Sequence, residues 1–344
     1  MELFVRAKEN PILVPKKDSW WESRAVFNPS AAKIGDKVYL LYRAIGNEPG
    51  YISRIGLAIS YDGIHFERFG KEPVLKPDKV YDRGAVEDPK IIYFPKENRY
   101  YVQYAAHKKP PGSFPSSIAT AALATTNDFK RFKKHGLCTS EKLDNRYCLL
   151  FPEKINGHYV SLQRPQVLCK EYYFKKRIDT EKILKRLHLS PKKLPEKPAI
   201  WIAFSKNKKN WKKFRLLFEG ENWWEKDKIG PSLPPIKTKF GWLIIYHGVD
   251  KAVGEKGRTY RIGAVMLNKN FEVIARFPEP IFEPKEEYEI TGDVANATFV
   301  SGYVLFENKK NENFYIYYGG ADTVCCVAFT NFDYLIEELM KNRL

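Results

Sequence analysis

One strand pattern recurs five times along this chain of 344 residues. It reads KVYLLYRA at 37–44, RYYVQYAA at 99–106, GHYVSLQR at 157–164, GWLIIYHG at 241–248 and NFYIYYGG at 313–320. Each copy is rich in aromatic and β-branched residues, which suit a pleated, half-buried strand, and each ends in a small or polar pair. The sixth positions, Tyr42, Tyr104, Leu162, Tyr246 and Tyr318, are 62, 58, 84 and 72 residues apart. A second element follows every copy: GLAISYDGIHFERF at 56–69, AALATTNDFKRF at 121–132, IAFSKNKKNWKKF at 202–214, GAVMLNKNFEVIARF at 263–277 and VAFTNFDYL at 327–335. Here a strand of small apolar residues leads into a polar turn and then an aromatic. Ordered copies of one supersecondary unit indicate a repeat architecture. Units too long for one hairpin point to an all-β fold, a five-bladed β-propeller around a central channel. The steps exceed the ~40–50 residues of common propeller repeats, so the blades carry long loops.

One propeller domain over residues 1–344 is therefore expected, with two additions. The longest step contains KEYYFKKRIDTEKILKRLHLSPKKLPEKPA at 170–199. Asp179 or Thr180 caps a helix there, Ile183, Leu184, Leu187 and Leu189 give it one apolar side, and Pro191 stops it. This reads as a basic helical insertion between blades. Residues 331–344 read as a C-terminal helix with Leu335, Ile336, Leu339 and Met340 on one face.

Composition narrows the setting. A hydrophobic content of 44% is enough for a packed core. No apolar run reaches the roughly 18 residues of a membrane span, and the N-terminus lacks the apolar stretch of a signal peptide. The five cysteines form no C-x-x-C pair and no Cys/His metal spacing. They read as reduced thiols of a cytoplasmic protein, with no metal or organic cofactor. Cys325 and Cys326 are adjacent in a strand and so point to opposite faces. The net charge of +17 is spread over surface turns, as at Lys206, Lys208, Lys209, Lys212 and Lys213. That is a solvated surface, not a nucleic-acid stripe. A homo-oligomer is left open.

Rigid strands that carry variable loops are where sites usually form. The exits of the repeated strand are Arg43–Ala44, Ala105–Ala106, Gln163–Arg164, His247–Gly248 and Gly319–Gly320. A fold repeat needs nothing basic at such places, so Arg43, Arg164 and His247 are candidates to line a pocket. Arg54, Arg146, Lys228 and Arg261 sit at similar strand ends or loops, and several arginines on one funnel indicate an anionic ligand. Tyr42, Tyr104, Trp223 and Trp224 suit either sugar stacking or the core. Asp88 stands in RGAVEDPKIIYF at 83–94, where Pro89 restricts it to extended or turn geometry. In extended chain Glu87 and Asp88 face opposite ways, one to the funnel and one into the wall.

Segments spanning nearly the whole chain, in order, resemble glycoside hydrolase family 130. They are AVFNPSA (25–31), LLYRAIG (40–46), SRIGLAISYDGIHFER (53–68), VEDPKI (86–91), ALATTNDF (122–129), LFPEKINGHYV (150–160), KIGPSLPPIKTKFGWLIIYHGVD (228–250), YRIGAVML (260–267) and YYGGADT (317–323). The resemblance implies a five-bladed propeller acting on β-mannosides, in most members as an inverting phosphorylase that yields α-mannose 1-phosphate. It implies one catalytic acid, Asp88 of the E-D-P motif, and inorganic phosphate as co-substrate. It further implies phosphate binding by Arg146, Arg164 and His247, and sugar binding by Arg43, Arg54, Tyr104, Asp250 and Asp322. Where the resembling phosphorylases read D-K-D, this chain has Asn145-Arg146-Tyr147. Gln163-Arg164 stands for His-Arg, and Thr120 for an Arg. The nearby cations are His107, Lys108, Lys109 and those of the insertion.

Phosphate is already anionic and needs no base, whereas a hydrolase must activate water with a carboxylate across the sugar ring. The main expectation is phosphorolysis of manno-oligosaccharides. An inverting β-mannoside hydrolase, with Glu219, Glu221 or Glu225 as base, is the alternative. A non-catalytic carbohydrate-binding propeller is a third reading, against which the intact Glu87-Asp88-Pro89 speaks.

Overall fold

The computed structural model describes residues 3–113, 117–250, 257–307 and 311–344. Its strands form five small antiparallel sheets, the blades of a propeller. The N-terminal strand β1 (Val5–Arg6) belongs to the last blade. Blade 1 holds β2 (Ala25–Ile34), β3 (Lys37–Ile45), β4 (Ser53–Ser60) and β5 (Glu67–Arg68). Blade 2 holds β6 (Ala85–Phe94), β7 (Arg99–His107), β8 (Ala119–Thr126) and β9 (Lys133–Leu137). In blade 3 are β10 (Cys148–Leu150), β11 (Tyr159–Gln163), β12 (Ile200–Ser205) and β13 (Lys212–Phe218). Blade 4 has an inner edge split into β14 (Lys228–Pro231) and β15 (Ile236–Thr238), followed by β16 (Gly241–Val249), β17 (Tyr260–Leu267) and β18 (Val273–Arg276). Blade 5 runs β19 (Thr298–Leu305), β20 (Phe314–Gly320) and β21 (Val324–Thr330), and β1 completes it as the outer strand.

The strand that recurs in the sequence is the second of each blade, one step out from the axis. The first strands are innermost and touch their neighbours around the centre, as β19 with β2 and β2 with β6 do. The polar turn of the repeat has a local cause. Ser60 and Asp62, Thr126 and Asp128, and Ser205 and Asn207 bond the turn's own backbone N–H groups, an alternative to ladder bonding that turns the chain. In blade 5 Asn331 occupies this turn and accepts from the N–H of Tyr334, so a helix follows instead of a fourth strand. That helix, Phe332–Met340, buries Leu335, Ile336 and Leu339 against blades 4 and 5.

A hydrophobic cluster lies between each pair of neighbouring blades. Adjacent Cys325 and Cys326 feed different clusters, as their opposite strand faces require. The segment 170–199 forms α1 (Lys170–Lys175), α2 (Arg177–Leu187) and a short turn at Pro191–Lys193. It joins β11 to β12 and therefore lies within blade 3, not between blades. Lys176, not Asp179 or Thr180, sits at the N-terminus of α2, and left-handed His188 ends it before Pro191 is reached. Leu184 is buried against blade 3, with Ile183, Leu187 and Leu189 beside it. Among the described residues no helix is long and apolar enough to cross a bilayer.

Candidate active site

Two inner strands carry the same local sequence: A-V-F-N-P-S opens β2 and A-V-E-D-P-K opens β6. Each ladder slips a register at the residue before proline, between Phe27 and Ser30 and between Glu87 and Lys90. Asn28 and Asp88 there adopt left-handed backbone, with φ of 48° and 51°. Asp and Asn tolerate this conformation better than other side chains. Such strain, of order 1–3 kcal/mol per residue, concentrates at functional sites. The bulge undoes strand alternation. Glu87 and Asp88 do not face opposite ways; both grip the Arg43 guanidinium, at 2.6 Å and 3.1 Å. Asp88 also accepts from Asn28 Nδ2 at 2.9 Å and faces Arg146 at 3.5 Å. Glu87 lies deeper, beside His107 Nε2 at 3.1 Å. Burial alone would push its carboxyl up, but Arg43, His107 and Arg146 hold it well below the usual carboxylate range.

Asp88 opens into a cavity of about 240 Å³. Arg43, Arg146, Arg164, His247 and Asp322 line it as well, with Asn28, Tyr147, Lys228, Tyr260 and Phe299. The antiparallel register explains this convergence. The last residues of the second strands pair with the first residues of the inner ones: Arg43 with Phe27, Gln163 with Cys148, His247 with Gly230. Asn145 then places two arginines together, because its Oδ1 accepts from the N–H of both Tyr147 and Arg164.

The cavity is short of anions. Arg164 is buried, lies over the Tyr147 ring at 5.0 Å, and leaves Nε and one terminal nitrogen without a partner among the described residues. Burial, followed by Arg164, pushes Lys228 down to about 7. The same two causes, in that order, hold His247 well below its usual value, so the ring is neutral at pH 7. Burial raises Asp322 to about 7 against the pull of Arg43.

Three expected sugar ligands lie elsewhere. Tyr104 is buried between blades 1 and 2 and donates to Asp82 at 3.0 Å. Arg54 pairs with Glu48 and stacks on Trp20, one strand further from the axis. Asp250 binds Arg261 at 2.7 Å and the N–H of Thr259 at 2.8 Å. Arg43, Arg54, Arg146, Arg164 and His247 were expected around one pocket, and of these only Arg54 does not line the cavity. Tyr42 and Trp224 are core, and the exposed Trp223 is covered by Arg261. None of the three proposed bases lines the cavity. Glu225 is buried against Tyr246 and Arg276, Glu221 is exposed, and Glu219 contacts the Glu196 backbone. Neutral Thr120 and Gln163 are also outside the cavity. Gln163 accepts from Asn145 and donates to Ser161. Lys108 pairs with Glu141. The alignment of β2 with β6 is the sequence signal that would have found Asn28.

The family model described as beta-1,4-mannooligosaccharide phosphorylase matches residues 11–342. A 1,2-beta-oligomannan phosphorylase of Thermoanaerobacter sp. is 35% identical over 331 residues, which cover 94% of this chain and 95% of that protein. A beta-1,4-mannooligosaccharide phosphorylase of Ruminococcus albus is 31% identical, over 81% of this chain and 73% of its own. Among solved structures, the beta-1,2-mannobiose phosphorylase from Listeria innocua in complex with beta-1,2-mannobiose superposes with a TM-score of 0.76 at 25% identity, covering 98% of this chain and 99% of that one.

Proposed function

The chain belongs to glycoside hydrolase family 130, the mannoside phosphorylases, and from that premise we propose that it cleaves β-mannosides with inorganic phosphate to give α-mannose 1-phosphate. The observation that carries this reading is Arg164, a cavity-lining residue whose buried guanidinium has two nitrogens without a partner among the described residues. A buried donor without an acceptor costs about 1–3 kcal/mol, and a phosphate oxygen supplies that acceptor. Lys228 and Arg146 flank it, and an anion there favours the charged form that burial now opposes.

The cavity then divides by blade. Arg146, Arg164, Lys228 and His247, from blades 3 and 4, hold the phosphate. Asn28, Arg43 and Asp322, from blades 1 and 5, hold the mannosyl hydroxyls. Asp88, between the two sets, gives its proton to the glycosidic oxygen, directly or through a sugar hydroxyl. Phosphate attacks the anomeric carbon from the opposite face, the C–O bond to the leaving sugar breaks, and configuration inverts. Arg43 and Asn28 fix the aim of Asp88. No base is needed, which agrees with Glu219, Glu221 and Glu225 lying outside the cavity. Relatives at 35% identity bear names with β-1,2 linkages and one at 31% a β-1,4 linkage, so β-1,2-mannobiose is the first substrate to try. The setting we infer is cytoplasmic, with no metal or organic cofactor and no nucleic-acid or membrane partner.

Product analysis with and without phosphate tests the proposal. Mannose 1-phosphate should form only when phosphate is present, and Asp88→Asn should slow its formation ~10²–10⁴-fold while the protein stays folded. Mannose released from mannobiose in the absence of phosphate moves the assignment to the hydrolase.

A further inference from the structure

Lys90 lies two residues past Asp88 and is fully buried, behind the cavity wall rather than in it. Its hydrogen-bond acceptors among the described residues are carbonyl oxygens, Ser232 at 2.7 Å and Val300 at 3.4 Å. The Phe299 ring lies 5.1 Å away. These partners belong to the inner edges of blades 4 and 5, whereas Lys90 belongs to blade 2, so its ammonium sits at the centre of the ring. Taking an ammonium out of water costs several kcal/mol, and an apolar side chain of similar volume would avoid that cost. Stability therefore does not account for a lysine here.

The neighbours of Lys90 lead to His247. Ser232, whose carbonyl accepts from Lys90, places its Oγ 3.1 Å from His247 Nδ1. Phe299, the ring beside Lys90, is also 4.8 Å from the His247 ring. With Nδ1 engaged by Ser232, Nε2 is the ring nitrogen left for a ligand. Asp88 also acts on Lys90 and favours its ammonium form, against burial.

We propose that Lys90 is a positioning residue of the anion subsite: it anchors Ser232, through Ser232 it aims His247 Nε2 at phosphate, and its charge underlies the bound anion. This rests on the phosphorolytic reading. Burial brings Lys90 down to about 7, so a bound anion also promotes its protonation.

The test compares Lys90→Met, Lys90→Gln and Ser232→Ala with the wild type, by thermal melting and by separate KM values for phosphate and mannoside. Lys90→Met should fold and raise the phosphate KM about tenfold, the scale of one lost charge-assisted interaction, with the mannoside KM within about twofold. Lys90→Gln keeps a donor without the charge and should fall between. Ser232→Ala keeps the carbonyl, loses the Oγ and should also raise the phosphate KM. Its effect should combine less than additively with Lys90→Met, because both act through His247. A folded Lys90→Met with wild-type phosphate KM, or one that raises both KM values alike, overturns the proposal while phosphorolysis stands. If Lys90→Met does not fold, an unchanged phosphate KM in Ser232→Ala overturns it. Failure of the wild type to use phosphate removes the functional reading and this proposal with it.

Discussion

Arg164 and Lys228 show how one side chain's charge is set by its neighbours. Burial weighs most on the Lys228 ammonium, and Arg164 beside it, charged at any accessible pH, adds to the penalty. The value for Lys228, about 7, lies below the ordinary 10.5. Between those limits the unfolded chain holds a proton that the folded protein lacks, so Lys228 makes the fold more stable as pH rises through that window. Anion binding has the opposite slope, because it favours the protonated lysine. Sulfate keeps its charge near neutrality and separates this effect from the titration of phosphate itself. Competitive inhibition by sulfate should weaken as pH is raised from about 6 to about 9, and less steeply in Lys228→Met. A wild-type inhibition constant that is flat over the range removes Lys228 from the anion subsite. The residues legible in sequence were those whose type was odd for their place, such as Arg43, Arg164 and His247 at the ends of apolar strands. Tyr104 misled for the converse reason: an aromatic inside a strand looks alike whether it faces a sugar or, as here, the neighbouring blade.

At the scale of the element, the site depends on irregular strands. The bulge in β6 turns two adjacent carboxylates onto one arginine, which strict alternation forbids. That outcome was not legible from Glu87-Asp88-Pro89, because Pro89 limits the backbone without selecting the left-handed region. Strand β14 makes a second demand. A Cβ added at Gly230 would meet His247 Cε1 and Nε2 at 2.7 Å, and both are ring atoms held by Ser232. Gly230→Ala should therefore destabilise the fold by about 1–3 kcal/mol, the usual range for overpacking, and raise the phosphate KM by displacing His247. Denaturant titration and steady-state kinetics measure the two effects. A stable variant with unchanged kinetics would show that His247 has room to move.

On the scale of the whole molecule, the ring must be closed, and the chain's two ends do it together. Blade 5 takes its outer strand from the N-terminus, and Arg6 on that strand grips the buried Glu289 through two bonds of 2.8 Å. Removing one partner of a buried pair costs about 3–5 kcal/mol. Arg6→Ala should lose stability on that scale in chemical denaturation while both KM values hold, because the lesion lies outside the cavity. Unchanged stability would mean that closure does not depend on this pair. The net charge of +17 acts at the same scale, drawing anions toward the funnel. Local preference determined much of this protein: the second strands, the polar turns that end the third, the helix after Asn331 and the blade number all follow from side-chain periodicity and turn chemistry, which act over a few residues. Only the tertiary structure decided that these strands are not the innermost, that the insertion lies within blade 3, and that Asn28 meets Asp88, Phe299 meets His247 and Lys90 meets Ser232. Those contacts join residues of different blades, and their geometry depends on register slips and ring closure, neither of which leaves a periodic trace in the chain.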